Sequence, residues 1–170
     1  MSNAPQIAIL MGSDSDWDVM AEAGRVLKGF DISFEMIVTS AHRTPERTHA
    51  YAKSAAERGI KGFIIGAGAA AHLAGVVASE TNLPVIGVPL SATDLKGMDA
   101  LLATVQMPGG IPVATMAIGK AGAKNAGIFA AQMLALGDAD LAAKLVTYRT
   151  DMAAAVAKKN ESLQAKLADL

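Results

Sequence analysis

Five short apolar runs rich in Ile and Val, separated by segments of helical period, constrain this chain most. The runs at Gln6–Met11, Ile32–Val38, Gly62–Ile65, Pro84–Val88 and Val113–Ile118 each predict a strand. Between them, Met20, Ala23 and Leu27 mark one helix, and Ala50, Ala52 and Ala56 the next. Strands alternating with helices predict βαβ units, right-handed crossovers and a parallel sheet. Strands apolar along nearly their whole length predict cover on both faces. The expected architecture is α/β: a three-layer, doubly wound, flavodoxin-like parallel sheet with an extended C-terminal helix. After Ile118 the pattern turns helical. Gly122–Leu136 reads as an Ala-rich helix, and Asp138 and Asp140 suit the start of a last long one. In that helix Leu141, Leu145, Tyr148 and Met152 form one apolar stripe, and the Lys-rich end from Ala157 to Leu170 either extends or frays. No linker or repeat is visible, so one domain is expected over 1–170, with a core over about 6–148 and a helical tail over about 149–170.

With 170 residues, 52% hydrophobic and 18% charged, the chain has apolar material for a real core. A net charge of −1 without a basic block gives nucleic-acid binding no electrostatic support. No apolar run is long enough to cross a membrane and no signal-peptide pattern opens the sequence. The absence of cysteine rules out a thiol nucleophile and a disulfide framework, and fits a cytoplasmic protein. Aromatic residues are only 4%, and small side chains limit the apolar area one subunit can bury, which hints at a homo-oligomer.

In open α/β sheets ligands bind beyond the carboxyl ends of the strands. The strand assignment puts 12–16, 40–45, 66–72, 89–93 and 107–110 on that edge. In "MGSDSDW", a glycine followed by Ser13 and Ser15 at a helix start leaves backbone N–H groups facing outward, which favours anions. The plain alternative is N-capping by Ser13 or Ser15, with Asp16 and Asp18 complementing the dipole. Neither a Walker motif nor a dinucleotide fingerprint is present. In "SAHRTP", Pro45 fits the first turn of a helix, Thr44 can cap it, and Arg43 can take a pair of phosphate oxygens in a fork. Histidine has the unperturbed pKa nearest neutrality, about 6.5, so His42 at this edge is a candidate proton carrier as well as an ordinary turn residue. "GAGAAAHLAG" permits close backbone approach to a ligand, with His72 beside the same pocket. His49, inside the second helix, reads as a solvated helix residue. Any chemistry then needs an anionic small molecule and one proton shuttle, because there is no metal-ligand cluster and no nucleophile elbow.

Together, "MGSDSDW", "SAHRTP", "GAGAAAHLAG", "LPVIGVP", "LKGMDALLATVQMPGGIPVAT" and "AIGKAGAKNA" resemble the 5-(carboxyamino)imidazole ribonucleotide mutases of bacterial purine biosynthesis, from about Ile7 to about Tyr148. The resemblance is to the mutase branch rather than to the related carboxylases. It implies an isomerase that moves a carboxylate from the exocyclic amine of an aminoimidazole ribotide to the neighbouring ring carbon. It implies no metal, ATP or organic cofactor, and a homo-octamer. By motif, His42 would be the proton carrier, Asp16 would hold the ribose hydroxyls, and Ser13, Ser40 and Arg43 would hold phosphate or carboxylate. Gly66, Ala67, Gly68, Ala69 and Ala70 would offer backbone groups beside the reacting carboxylate, with His72 nearby. "QMPGGIP" is a candidate cover.

Two positions depart from the family pattern: Ala69 stands where glycine is usual and Ala74 where proline is usual. A helix start immediately after Ala69 would give it a negative φ, so it is expected to be unstrained, with its neighbouring amides facing the pocket. Ala74 is expected to free an N–H for its helix. Two other readings remain: a carboxylase taking free carbon dioxide, and a non-catalytic ribotide-binding module on the same fold.

Overall fold

The computed structural model describes residues 4–168. Five parallel strands, β1 (Ile7–Met11), β2 (Phe34–Val38), β3 (Gly62–Gly68), β4 (Val85–Leu90) and β5 (Ala114–Thr115), form one sheet in the order β2-β1-β3-β4-β5. This is the flavodoxin-like plan expected from the strand–helix alternation. The helices are α1 (Trp17–Gly29), α2 (Pro45–Ser54), α3 (Leu73–Glu80), α4 (Met98–Val105), α5 (Lys120–Ala135) and α6 (Ala139–Ala168). The chain forms two compact units, one running to Ala131 and the other starting at Gln132.

In the first unit both sheet faces are covered, which is why β1, β3 and β4 are buried along almost their entire length. On one face Ala8, Leu10, Phe63 and Ile65 pack with Ala52 of α2, Leu73, Ala74 and Val77 of α3 and Ala100 of α4. The other face lies against α1. A Cβ on Gly66 of β3 would fall 2.3 Å from Met20 Sδ of that helix, so glycine allows the helix to approach. Gly127 of α5 packs on α1 in the same way, at the Ala23 carbonyl and Val26.

The strand boundaries differ from the sequence reading for local reasons. β2 starts later because Ile32 bonds back to the Leu27 carbonyl at the end of α1, after Asp31 has taken a φ of 59°. β3 runs three residues further, since Ala67 and Gly68 still pair with Pro89 and Leu90. β5 is reduced to the two residues that pair with Ile86 and Gly87. In α2 the inward positions are Thr48 and Ala52, while Ala50 is exposed and Ala56 lies beyond the end of the helix, also exposed. Residues 107–110 follow α4 and precede β5, so they lie at the amino edge of the sheet and not, as expected, at its carboxyl edge.

In the second unit α6 is helical through the Lys-rich stretch to Ala168. Asp138 caps it, with Oδ1 accepting the Leu141 N–H at 2.9 Å. Leu141 is buried, Leu145 and Tyr148 are half-buried, and Met152 is exposed. Among the described residues no helix is long and apolar enough to cross a membrane.

Candidate active site

From β1 the chain passes to β2 on one side and then crosses to β3 on the other, so the strand order reverses at β1. The loops beyond β1, β2 and β3 meet at this switch point, where open sheets hold their ligands. They enclose a cavity of about 400 Å3 lined by Gly12, Ser13, Ser15, Asp16, Ser40, Ala41, His42, Arg43, Ala67, Gly68, Ala69, Ala70, Leu73 and Ala92.

The loop after β1 forms a single 3-10 turn over Asp14–Asp16 before α1. Ser13 Oγ accepts the Ser15 N–H at 3.3 Å, and Asp16 Oδ2 accepts the Ser13 N–H at 3.1 Å. This capping box fixes both candidate ligand groups. The Asp16 carboxyl is pushed above its ordinary value of 3.8, chiefly by burial, while the backbone hydrogen bonds of Ser13 and Gly12 act the other way. Capping and ligand binding are compatible here, because both serines and Asp16 also line the cavity.

The loop after β2 is held from beneath. Thr39, buried, meets Thr48 of α2 hydroxyl to hydroxyl at 2.8 Å. Thr44 makes no side-chain cap to α2, contrary to the sequence reading; its Oγ1 instead donates to the Ser40 carbonyl and accepts the Ser40 N–H, both at 3.0 Å. Ser40 Oγ accepts the Arg43 N–H at 3.2 Å, and Arg43 Nη2 reaches across to the Gly12 carbonyl at 3.2 Å. A second groove of about 530 Å3 continues past Arg43 to Arg47. His42 stands at the tip of this loop. Its Nε2 lies 2.9 Å from His72 Nδ1, with the rings edge to face. His49 is exposed, as expected, and also pairs with Glu80 at 2.9 Å.

The loop after β3 departs from expectation. Four residues separate β3 from α3, and the chain reverses at Ala69 with a φ of 52°. An L-residue in that left-handed region costs roughly 1 to 2 kcal/mol. The Ala71 and His72 N–H groups bond locally to the Ala69 and Ala70 carbonyls, at 2.9 and 2.8 Å, rather than pointing free into the cavity. Ala74 gains no hydrogen bond from replacing proline, because it is the second residue of α3, where the N–H has no acceptor within the helix.

Of the expected site residues, Ser13, Asp16, Ser40, His42, Arg43, Ala67, Gly68, Ala69 and Ala70 line the cavity together. Gly66 does not, being buried against Met20, and His72 stands behind His42. None of 106–112 lines the cavity; Met107 packs instead at Gly75 of α3. Sequence reasoning missed the Thr39–Thr48 pair, whose only sequence signal is that the two threonines flank "SAHRTPER". It placed 89–93 at this edge and singled out the segment containing Leu73, but did not name Leu73 or Ala92 as walls. Among the described residues no group of three or more His, Cys, Asp or Glu could hold a metal ion.

A family model described as AIR carboxylase matches residues 6–155. An N5-carboxyaminoimidazole ribonucleotide mutase of Mycobacterium tuberculosis (strain ATCC 25618 / H37Rv) is 52% identical over 94% of this chain and 91% of its own length. The enzyme of that name from Bacillus subtilis (strain 168) is 52% identical over 94% of this chain and 98% of its own. Among solved structures, Treponema denticola PurE superposes with a TM-score of 0.84 at 29% identity, covering 94% of this chain and 98% of that one. By its matched length, its relatives and the cavity at its switch point, the chain belongs to the AIR carboxylase family.

Proposed function

We propose that this protein is an N5-carboxyaminoimidazole ribonucleotide mutase, converting that ribotide to 5-amino-1-(5-phosphoribosyl)imidazole-4-carboxylate in purine biosynthesis. The observation that carries the reading is that an arginine, three serines, a carboxylate and a histidine line one small-walled cavity in a chain 52% identical to enzymes of that name.

Arg43, Ser13 and Ser40 suit the phosphate and carboxylate, the arginine through its fork of donors. Asp16 suits the ribose hydroxyls when ionised. His42 gives a proton to the exocyclic amine nitrogen as its bond to the carboxylate breaks. Carbon dioxide and an aminoimidazole remain. The ring carbon is already nucleophilic, as in any enamine, and attacks the carbon dioxide; its proton returns to His42. The step balances without ATP, metal or cofactor, and one proton carrier of this kind contributes roughly 10²- to 10⁴-fold. Retaining a neutral gas is the harder task, and the walls Ala41, Ala67, Leu73 and Ala92 hold it by exclusion of water rather than by bonds.

The protein acts as a homo-octamer in the cytoplasm on this proposal. Met98, Leu102 and Val105 run along α4 at spacings of four and three, exposed by 52, 51 and 45%, and Leu95 in the turn before it is exposed by 64%, an apolar patch suited to a second copy of the chain. The test is turnover of the carboxylated amine, compared with the unmodified ribotide plus bicarbonate. Conversion of the first without bicarbonate supports the mutase. Product from the second pair alone makes it a carboxylase, and tight ribotide binding with no turnover makes it a binding module.

A further inference from the structure

His72 is absent from the cavity wall, yet its Nδ1 is 2.9 Å from His42 Nε2. One of these two nitrogens must carry the hydrogen and the other a lone pair. If both carried hydrogen they would repel, so the pair holds a single extra proton at a time. While the contact stands, the only ring nitrogen His42 has left for substrate is Nδ1.

Building on the mutase reading, we propose that His72 is a positioning residue: its Nδ1 lone pair accepts the His42 Nε2–H and so makes His42 Nδ1 the nitrogen that gives and retakes the proton. The direction follows from the proton count. His42 must begin as imidazolium, with hydrogen on both nitrogens, in order to be an acid. Its Nε2–H then donates to a neutral His72. Loss of the Nδ1 proton to the substrate amine leaves a neutral His42 still donating through Nε2, with the Nδ1 lone pair aimed where the proton left. The ring-carbon proton returns to that same atom, and no ring flip or tautomer exchange is needed within a turnover. Were His72 the donor, neutral His42 could give up its Nδ1 proton only by becoming an anion.

The backbone holds His72 in place. It is the cap residue of α3, its N–H bonds the Ala70 carbonyl at 2.8 Å, and its carbonyl accepts the Val76 N–H at 2.9 Å. α3 carries no acidic or basic residue in its first turn. The charged groups that share the cavity with the pair are Asp16, from the turn after β1, and Arg43, from the loop after β2; the wall residues from the loops after β3 and β4 are alanines. Among the described residues no carboxylate bonds either ring, so the contact of the proton carrier is the other imidazole.

The experiment compares His72→Leu and His72→Asn with the unaltered protein, with His42→Asn in parallel. An asparagine Oδ1 can replace the Nδ1 acceptor, whereas leucine cannot. In His72→Leu, kcat falls about tenfold or more with KM within about threefold, since one lost hydrogen bond to a charged group weighs on the proton carrier and not on binding. The alkaline limb of its pH–kcat profile moves down by roughly half a unit or more, because the imidazolium has lost its acceptor. His72→Asn restores most of both. Nitrogen-15 spectra of the histidines show His42 as the Nε2–H form in the unaltered protein and a mixture in His72→Leu. Unaltered kcat and pH profile in His72→Leu overturn the proposal, as does a loss of kcat that asparagine fails to rescue. If His42→Asn abolishes turnover while His72→Leu does not, only the dyad falls; if His42→Asn keeps its turnover, the underlying mechanism falls with it.

Discussion

Ala69→Gly should make this protein more stable, against the usual direction of such a change. Ala69 is exposed, so its methyl group loses little packing on removal. Its φ of 52° costs an L-residue roughly 1 to 2 kcal/mol that glycine does not incur. Against this, glycine adds unfolded-chain entropy of about 0.4 to 1 kcal/mol. The balance favours glycine by about 0.5 to 1 kcal/mol, or about 1 to 4 °C in Tm for a chain of this size. The control is the neighbour Ala70, also exposed but not among the residues of positive φ. Ala70→Gly should lose about 0.4 to 1 kcal/mol, because only the entropy operates there. The assay is thermal or urea unfolding of both variants at one protein concentration, since assembly makes Tm concentration-dependent. Turnover by Ala69→Gly should stay within about tenfold of the parent, under about 1.4 kcal/mol of barrier. Shifts of the same sign in the two variants would refute the strain argument, and a parent inactive until glycine is restored would refute the view that the loop tolerates alanine.

His42→Asn should abolish turnover while ribotide binding, measured by calorimetry, survives on Arg43 and Asp16. With Asp16 holding the ribose as proposed, its raised carboxyl predicts that KM climbs as pH falls through a value above 3.8, where the anion is protonated, and that Asp16→Asn removes this dependence. Its contribution to stability runs the opposite way, being fully present below 3.8 and lost as pH rises through the raised folded value, which melts across acid pH will show. Gly66→Ala should destabilise by about 1 to 3 kcal/mol through a clash with the buried Met20, with KM unchanged, because Gly66 packs on α1 and lies outside the cavity lining. Light scattering should find an octamer, and a stable, active monomer at micromolar concentration would contradict that assembly.

The sheet was legible because β1, β3 and β4 are covered on both faces and so are written in Ile and Val. Its edges were not: β5 is two residues long, and the end of β3, Ala67 and Gly68, carries no side chain large enough to announce a strand. The cavity lining was legible where polar side chains follow a strand end, as in Ser13, Asp16, Ser40, His42 and Arg43. Gly66 was misread because a glycine that admits a ligand and one that admits a helix look alike in sequence. The turn at Ala69 was misread for the same lack of signal. Alanine favours helix, and only the pairing of β3 with Pro89 and Leu90 pushes the reversal onto a residue that resists it. The His42–His72 contact joins residues thirty apart, and only the crossover from β2 to β3 brings them together.

The most direct test of the central claim is the fate of a labelled carboxylate. The protein is given ribotide carrying carbon-13 on the amine-bound carboxylate, in buffer with unlabelled bicarbonate and no ATP, and the ring carboxylate of the product is analysed by mass spectrometry at low conversion. A cavity that holds the released carbon dioxide until the ring carbon takes it predicts that nearly all product keeps the label. Product that carries the label of the bulk pool, or no product until bicarbonate is raised, would contradict a mutase.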